Sequence, residues 1–204
     1  RDGIDHISLS KLGNMIAPKY HPYTGFRRTS GTLVHSRGDS FETPDSKMIL
    51  PEIMNLIGFL RDSNFHPVVR ASNAHIEMVR IHPFEDGNGR AGRLLQNLCL
   101  QERGYPPAVI RVEDRKNYFN LMGKVWKDRF KKKSSIYTPS RNDDDFHEFI
   151  ASKVLDSAVV VEEELKSRRM YEVELTNVSN PGMVGTIAIK LRGIGRSPEK
   201  SGVV

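Results

Sequence analysis

HPFEDGNGRAGR, running from His82 to Arg93, compresses a titratable base, two acids, a Gly-Asn-Gly turn and two arginines into one short stretch. Upstream of it, Ala71, Ala74, His75, Met78, Val79 and His82 recur at spacings of three, four and seven, which predicts one face of a helix. Downstream, Leu94, Leu95, Leu98 and Cys99 resume the same period. Glu85-Asp86-Gly87-Asn88-Gly89 interrupts it, and Gly and Asn are the residues that let a chain curl tightly through positive φ. The stretch therefore reads as a helix, a tight loop and the N-terminus of a second helix.

Backbone N–H groups exposed in a Gly-rich turn at a helix start form a concave site for anions, and phosphate is the natural occupant. Arg90 and Arg93 fall in the first turn of the second helix, where cations oppose the macrodipole and call for a countercharge. A polyphosphate satisfies both guanidiniums through bidentate bonds, and Asp86 is placed to hold a divalent cation on the same oxygens. His82, one loop away, has the ordinary pKa of a proton acceptor. A plain helical hairpin with a solvated turn accounts for any one of these residues but not for the whole cluster.

At these positions the chain resembles the Fic family, whose signature is H-x-F-x-[D/E]-G-N-G-R-x-x-R. His82, Phe84, Asp86, Gly87, Asn88, Gly89, Arg90 and Arg93 match it without a gap. The resemblance implies a mainly α, Fic-type helical bundle with a short β-hairpin flap, and an enzyme that moves AMP from ATP to a Tyr, Thr or Ser hydroxyl of a target protein, releasing pyrophosphate. It implies His82 as the base, Asp86 as the Mg²⁺ (or Mn²⁺) ligand, and Gly87, Asn88 and Gly89 as the anion cradle. It also implies Arg93 on the terminal phosphates, Arg90 supporting the loop and Phe84 pointing inward. A related phosphate-transferring branch carries Lys after Asn; Gly89-Arg90 favours nucleotidyl transfer.

The same resemblance organises the flanks. Gly25-Phe26-Arg27 matches an element that precedes the family's flap, and Thr32, Leu33, Val34 and His35 read as a short strand before a turn at Arg37-Gly38-Asp39. This hairpin is expected to pair with target backbone and present its hydroxyl to His82. His66-Pro67 belongs to the family pattern and predicts Pro67 in the first helical turn. Pro51 is expected to open a preceding helix with Ile53, Met54, Leu56, Ile57 and Leu60 on one face. Tyr118 and Phe119, in a helix opening near Arg115, are the candidates for adenine contact, while Trp126 stands where the family often has a polar residue. His75 and His82 are spaced too far apart for a helical metal pair, and His75 reads as a hydrogen-bonded structural residue.

Whole-chain properties bound the reading. At 204 residues the chain is long enough for one solid core. Its 38% hydrophobic and 27% charged content is that of a soluble globular protein, and no apolar run reaches bilayer length. Cys99, without a second cysteine to pair with, reads as a buried small hydrophobe in a reducing compartment, so a cytoplasmic location is expected. The net charge of +6 raises nucleic acid as a partner, but no zinc spacing or RNA-binding signature supports it, and the basic residues read as solvated faces. The chain starts at Arg1 rather than Met, which reads as a fragment or processed chain.

Gly104 with Pro106 and Pro107 should stop the second helix, and Phe146, Phe149, Ile150, Val154, Ala158, Val161 and Leu165 carry the stripe of a long last helix opened by Asp143 to Asp145. Beyond it, Tyr171, Val173 and Leu175 alternate with charge and Thr186 to Ile189 form a second β-like run, with Asn180-Pro181-Gly182 as a turn and a loose tail from Ser197. The expected division is 1–166, a Fic domain, and 167–204, a C-terminal extension with a small β-hairpin. Many family members carry an inhibitory [S/T]-x-x-x-E-[G/N] helix; no Ser or Thr here has Glu four residues on, Ser152 with Asp156 and Ser140 with Asp144 coming nearest. Inhibition then falls to a separate antitoxin chain, to residues before Arg1, or to nothing. Transfer of another nucleotide, removal of AMP from a modified protein, and a non-catalytic basic helical binding module are the alternative functions.

Overall fold

In a computed structural model, the described residues are 4–18, 25–29, 32–34, 40–61, 64–131, 136, 138–167, 171–178 and 186–193. Among the described residues six helices carry the fold: α1 (His6–Ile16), α2 (Ser46–Arg61), α3 (Pro67–Ile81), α4 (Asn88–Gln101), α5 (Arg115–Lys131) and α6 (Arg141–Ser167). Two antiparallel hairpins accompany them, β1 (Thr32–Val34) with β2 (Ser40–Glu42), and β3 (Tyr171–Val178) with β4 (Thr186–Gly193). The expected mainly α bundle with a flap hairpin and a C-terminal hairpin is what the chain forms. His35, the turns at 37–39 and 180–182 and the tail from 197 lie outside the described residues.

The chain forms two compact units, Arg1–Val154 and Leu155–Val204. In the second unit β3 and β4 pair over eight residues each, from Tyr171 opposite Gly193 to Val178 opposite Thr186. Leu155, Val159, Val160 and Val161 are exposed on its helical segment.

Within the first unit α3 is the axis. The sequence period predicts one buried face, whereas every residue from Arg70 to Val79 is buried. The polar ones among them, Arg70, Ser72, Asn73, His75 and Glu77, all find partners in neighbouring elements or on α3 itself, and this makes a helix buried all round tolerable. Pro67 stands at its start, with the His66 ring accepting the Val68 N–H at 3.3 Å. α4 packs closely on α3 because Gly92 lets it: a Cβ there would stand 2.8 Å from His75 Cδ2 and 3.0 Å from Val79 Cγ2. Cys99 is buried in that contact layer and its thiol is pushed up to about 11 by desolvation.

Helix α2 starts a turn earlier than Pro51 predicts. Asp45 accepts the Lys47 N–H at 2.9 Å and so supplies the start signal, leaving Pro51 inside the helix. The ladder bond that Pro51 cannot donate would have gone to the carbonyl of exposed Lys47, where water replaces it cheaply. Met54, expected in the core stripe, is half exposed, while Ile53, Leu56, Ile57, Phe59 and Leu60 are buried. α4 ends at Gln101, and Gly104 with φ +77 turns the chain so that Tyr105 N–H reaches the Leu100 carbonyl at 3.0 Å. α6 opens on half a capping box, the Asp143 carboxylate taking the Ser140 N–H at 2.5 Å; its stripe is buried through Ala158, but Val161 is exposed.

Candidate active site

His82 is the C-cap of α3 and sits in the left-handed region, φ 51 and ψ 55, with its N–H still bonded to the Met78 carbonyl at 3.2 Å. That conformation costs a non-glycine residue on the order of 1 kcal/mol and turns the chain sharply from α3 into the loop. The ring is fixed as well: Nδ1 lies 3.2 Å from the Val79 carbonyl, which accepts only if Nδ1 carries the proton. Nε2 is then the lone pair of a neutral imidazole. Burial pushes the His82 pKa down, Arg27 adds to this, and the Val79 bond and Asp86 oppose it, so the ring is a ready proton acceptor near neutral pH.

The loop that follows is held from inside. Phe84 is fully buried, and Asn88 spends both polar atoms on it, accepting the Phe84 N–H at 2.9 Å and donating to the Phe84 carbonyl at 2.8 Å. The Asn88 side chain, expected in the anion cradle, therefore shapes the loop instead. What faces outward is backbone. Gly87, with φ +86, is the N-cap of α4 and brings no side chain to it, so the N–H groups that open the helix keep their affinity for an anion. A Cβ at Gly87 would stand 2.8 Å from Ile16 Cγ2, so α1 itself requires glycine there.

The two arginines part company. Arg90 bridges the Ile16 carbonyl and the Asp86 carboxylate, each at 2.8 Å, at the surface, and so ties the end of α1 to the loop. Arg93 turns the other way, over Gly89 and against Tyr118 and His75. Behind it lies a chain of neutral groups. Gln96 donates its amide to Asn97 Oδ1 at 3.4 Å, so its carbonyl faces His75 Nδ1 at 2.8 Å. His75 Nδ1 must then be the donor, its Nε2 accepts the Tyr118 hydroxyl at 3.0 Å, and the Tyr118 lone pairs are left for the Arg93 guanidinium. Burial drives His75 down to about 4 and keeps it neutral for this role.

Tyr118, expected at the adenine, is thus only 5% exposed and belongs to the core, with its hydroxyl committed to His75. Its neighbour Phe119 is partly buried and lines an open cavity of about 670 Å³ with Val112, Glu113, Lys116 and Asn120 among its walls, the Arg115 guanidinium 5.7 Å from its ring centre. Trp126 is core too: Phe41 of β2 packs against it at 6.2 Å and stacks on Phe130 at 5.4 Å, fastening the hairpin to α5. Thr32, Leu33 and Val34 form β1, Leu33 opposite Phe41.

Asp86 is the sole acidic member of the loop turned towards Arg90, and among the described residues no cluster of three His, Cys, Asp or Glu side chains forms a metal cage. One half-exposed carboxylate beside the uncapped start of α4 suits Mg²⁺, which takes few protein ligands and completes its shell with water or a ligand's oxygens. The residue that sequence reasoning left without a role is Arg27, whose side chain bonds directly to the His82 carbonyl at 2.6 Å. Its position directly after Gly25-Phe26 was the available signal.

Residues 6–100 match the family model described as Fic/DOC. Among curated proteins, a stretch of 58 residues is 50% identical to the protein adenylyltransferase Fic of Aedes aegypti, covering 28% of this chain and 12% of that protein. A stretch of 78 residues is 38% identical to the protein adenylyltransferase Fic of Drosophila virilis, covering 38% and 16%. The chain thus spans less than a fifth of the length of these relatives. Among solved structures, a Fic domain containing signaling protein from Bacteroides thetaiotaomicron superposes with a TM-score of 0.72 at 23% identity over 80% of this chain and 64% of that one. A Fic family protein from Desulfovibrio desulfuricans does so with 0.62 at 24% over 78% and 47%. Both share the fold. Among the described residues no helix is long and apolar enough to cross a membrane.

Proposed function

On the premise that residues 6–100 belong to the Fic/DOC family, we propose that this chain is a protein adenylyltransferase that moves AMP from ATP to a hydroxyl side chain of a target protein. The observation that carries this is the pairing of a His82 ring locked with Nε2 unprotonated and an α4 N-terminus whose donors no side chain caps. A base and an anion site one loop apart are what phosphoryl-group attack requires.

The triphosphate lies on the backbone amides at the start of α4, with Arg93 on its terminal phosphates and Phe119 on the base side. The hairpin β1–β2 takes the target backbone by strand addition and brings its hydroxyl to His82. Nε2 removes the hydroxyl proton as the oxygen attacks the α-phosphorus. A new P–O bond forms, the bond from the α-phosphorus to the bridging oxygen breaks, and the electron pair leaves with pyrophosphate. Asp86 would hold Mg²⁺ there, which would supply neutralisation of the phosphate charge, while Arg90 ties the loop to the Ile16 carbonyl.

Transfer of label from α-labelled ATP onto protein in lysate tests the reading. His82→Ala is expected to reduce it about 10²- to 10⁴-fold while ATP still binds. Equal transfer by the variant removes His82 as base, and better transfer from CTP, GTP or UTP removes adenylylation.

A further inference from the structure

Arg27 makes four side-chain hydrogen bonds to three separated parts of the chain. Nε donates to the His82 carbonyl at 2.6 Å. Nη1 donates to the Thr29 carbonyl, and Nη2 to the Pro44 carbonyl at 2.6 Å and to Thr43 Oγ1 at 3.2 Å. Its own N–H donates to the Pro83 carbonyl at 2.8 Å. Thr29 lies just ahead of β1, and Thr43 with Pro44 lies just behind β2, so one guanidinium grips both ends of the hairpin and the peptide at the left-handed His82. A second strut runs parallel to it: Thr29 Oγ1 meets Glu85 Oε1 of the loop at 3.0 Å.

This arrangement is too specific for a filler of space. A guanidinium has five donors in a rigid planar fork, and here four bonds leave it in directions that a lysine could not reproduce. The carbonyls it holds have no other role in the ladder of either hairpin strand, since they lie outside the paired residues 32–34 and 40–42. Burial pushes the Arg27 guanidinium pKa down, and the charges of Glu85 and Asp45 oppose it in part. The hairpin and the base are therefore joined through the Arg27 fork, beside the Thr29–Glu85 contact and the packing of Phe26 on Phe84 at 6.0 Å, and the fork alone reaches the His82 carbonyl.

We propose that Arg27 is a positioning residue that sets the hairpin and His82 in register, so that a target strand added to the hairpin arrives with its hydroxyl in reach of the base. The role rests on the transfer reaction proposed above, whereas the clamp itself is measurable without it. A target held by the hairpin is then held against His82 through this shared fork, and loosening the fork loosens both.

Arg27→Met keeps the apolar stem and removes the donors. In that variant, amide exchange of the β1–β2 hairpin is expected to be about tenfold or more faster, as the loss of charge-assisted bonds implies, and the His82 ring resonances should shift and broaden, while α3 and α4 amides exchange as before. In transfer assays KM for the target rises and kcat falls, with ATP affinity unchanged. Thr43→Val removes one of the three hairpin-side bonds and keeps the bond to the His82 carbonyl, so it should speed hairpin exchange to a smaller extent and leave the His82 resonances in place. Unchanged hairpin protection or an unchanged His82 signal in Arg27→Met overturns the clamp, as does equal acceleration in α3 and α4. If Arg27→Met does not fold, wild-type hairpin exchange in Thr43→Val overturns it. A wild-type protein that transfers nothing counts against the proposed function, and exchange and ring resonances still decide the clamp.

Discussion

Two buried polar networks run off α3, and they are built from opposite materials. The first, Gln96, His75 and Tyr118, is neutral throughout and ends at Arg93 beside the loop. The second is charged: Arg129 donates to Asp143 Oδ1 from Nε at 3.1 Å and Nη2 at 2.6 Å, and to Asn73 Oδ1 at 2.9 Å, with Glu77 at 3.5 Å and His147 accepting from Asn73 at 3.2 Å. The Arg129 and Asp143 side chains are both 0% exposed. The charged network joins α5 and α6 to α3, and the neutral one backs Arg93, which the proposed reaction sets on the terminal phosphates. A cation meant for a ligand is better backed by neutral acceptors than by a carboxylate, which would compete with phosphate for it; a cation meant to hold helices together is better served by a carboxylate.

The largest effect that would separate the two is Asp143→Ala. It leaves a buried guanidinium without its main partner and should lower stability by about 3 to 5 kcal/mol in denaturant titration, while transfer per folded molecule stays at the wild-type level. A loss of transfer at constant folded fraction would mean that the charged network also serves the site.

Acid offers the next effect, on the order of 3 kcal/mol per ring. His75 and His147 are both pushed by burial down to about 4, whereas the unfolded rings titrate near 6.5. Between those values the unfolded chain binds protons that the folded chain refuses. Stability is therefore full above about pH 6.5 and falls as pH drops towards 4. His75→Gln and His147→Gln should each flatten this slope, measured as denaturation midpoints between pH 7 and pH 4.5. An acid slope untouched by either variant would show that the rings are not neutral in the fold.

The smallest effect sharpens the role of the neutral network. Tyr118→Phe removes the acceptor behind Arg93 and should weaken ATP by on the order of 1 kcal/mol, with AMP unaffected, as read by calorimetry of both ligands. Equal weakening would place Arg93 at the α-phosphate or in the core.

Much of this was legible beforehand because it is local. The period on either side of the loop, Gly87 at a left-handed N-cap, Pro67 at a helix start and the alternation of β3 are settled within a few residues of chain, where backbone sterics and hydrophobic period act. Even so, the local rules misread Pro51, since Asp45 supplied an earlier cap, and they assigned α3 one buried face when its whole circumference is covered.

The sequence by itself determined the helix-loop-helix, the placing of His82, Asp86, Arg90 and Arg93 along it, and the two β-hairpin segments, because each depends on neighbours close along the chain. Only the tertiary structure decided what those groups touch. Asn88 turned inward to Phe84, Tyr118 went to His75 and Trp126 went to Phe41. Arg27 reached 55 residues along the chain to the His82 carbonyl. Such choices follow from which buried donors and acceptors must be satisfied once helices pack, and that constraint acts between residues remote in sequence.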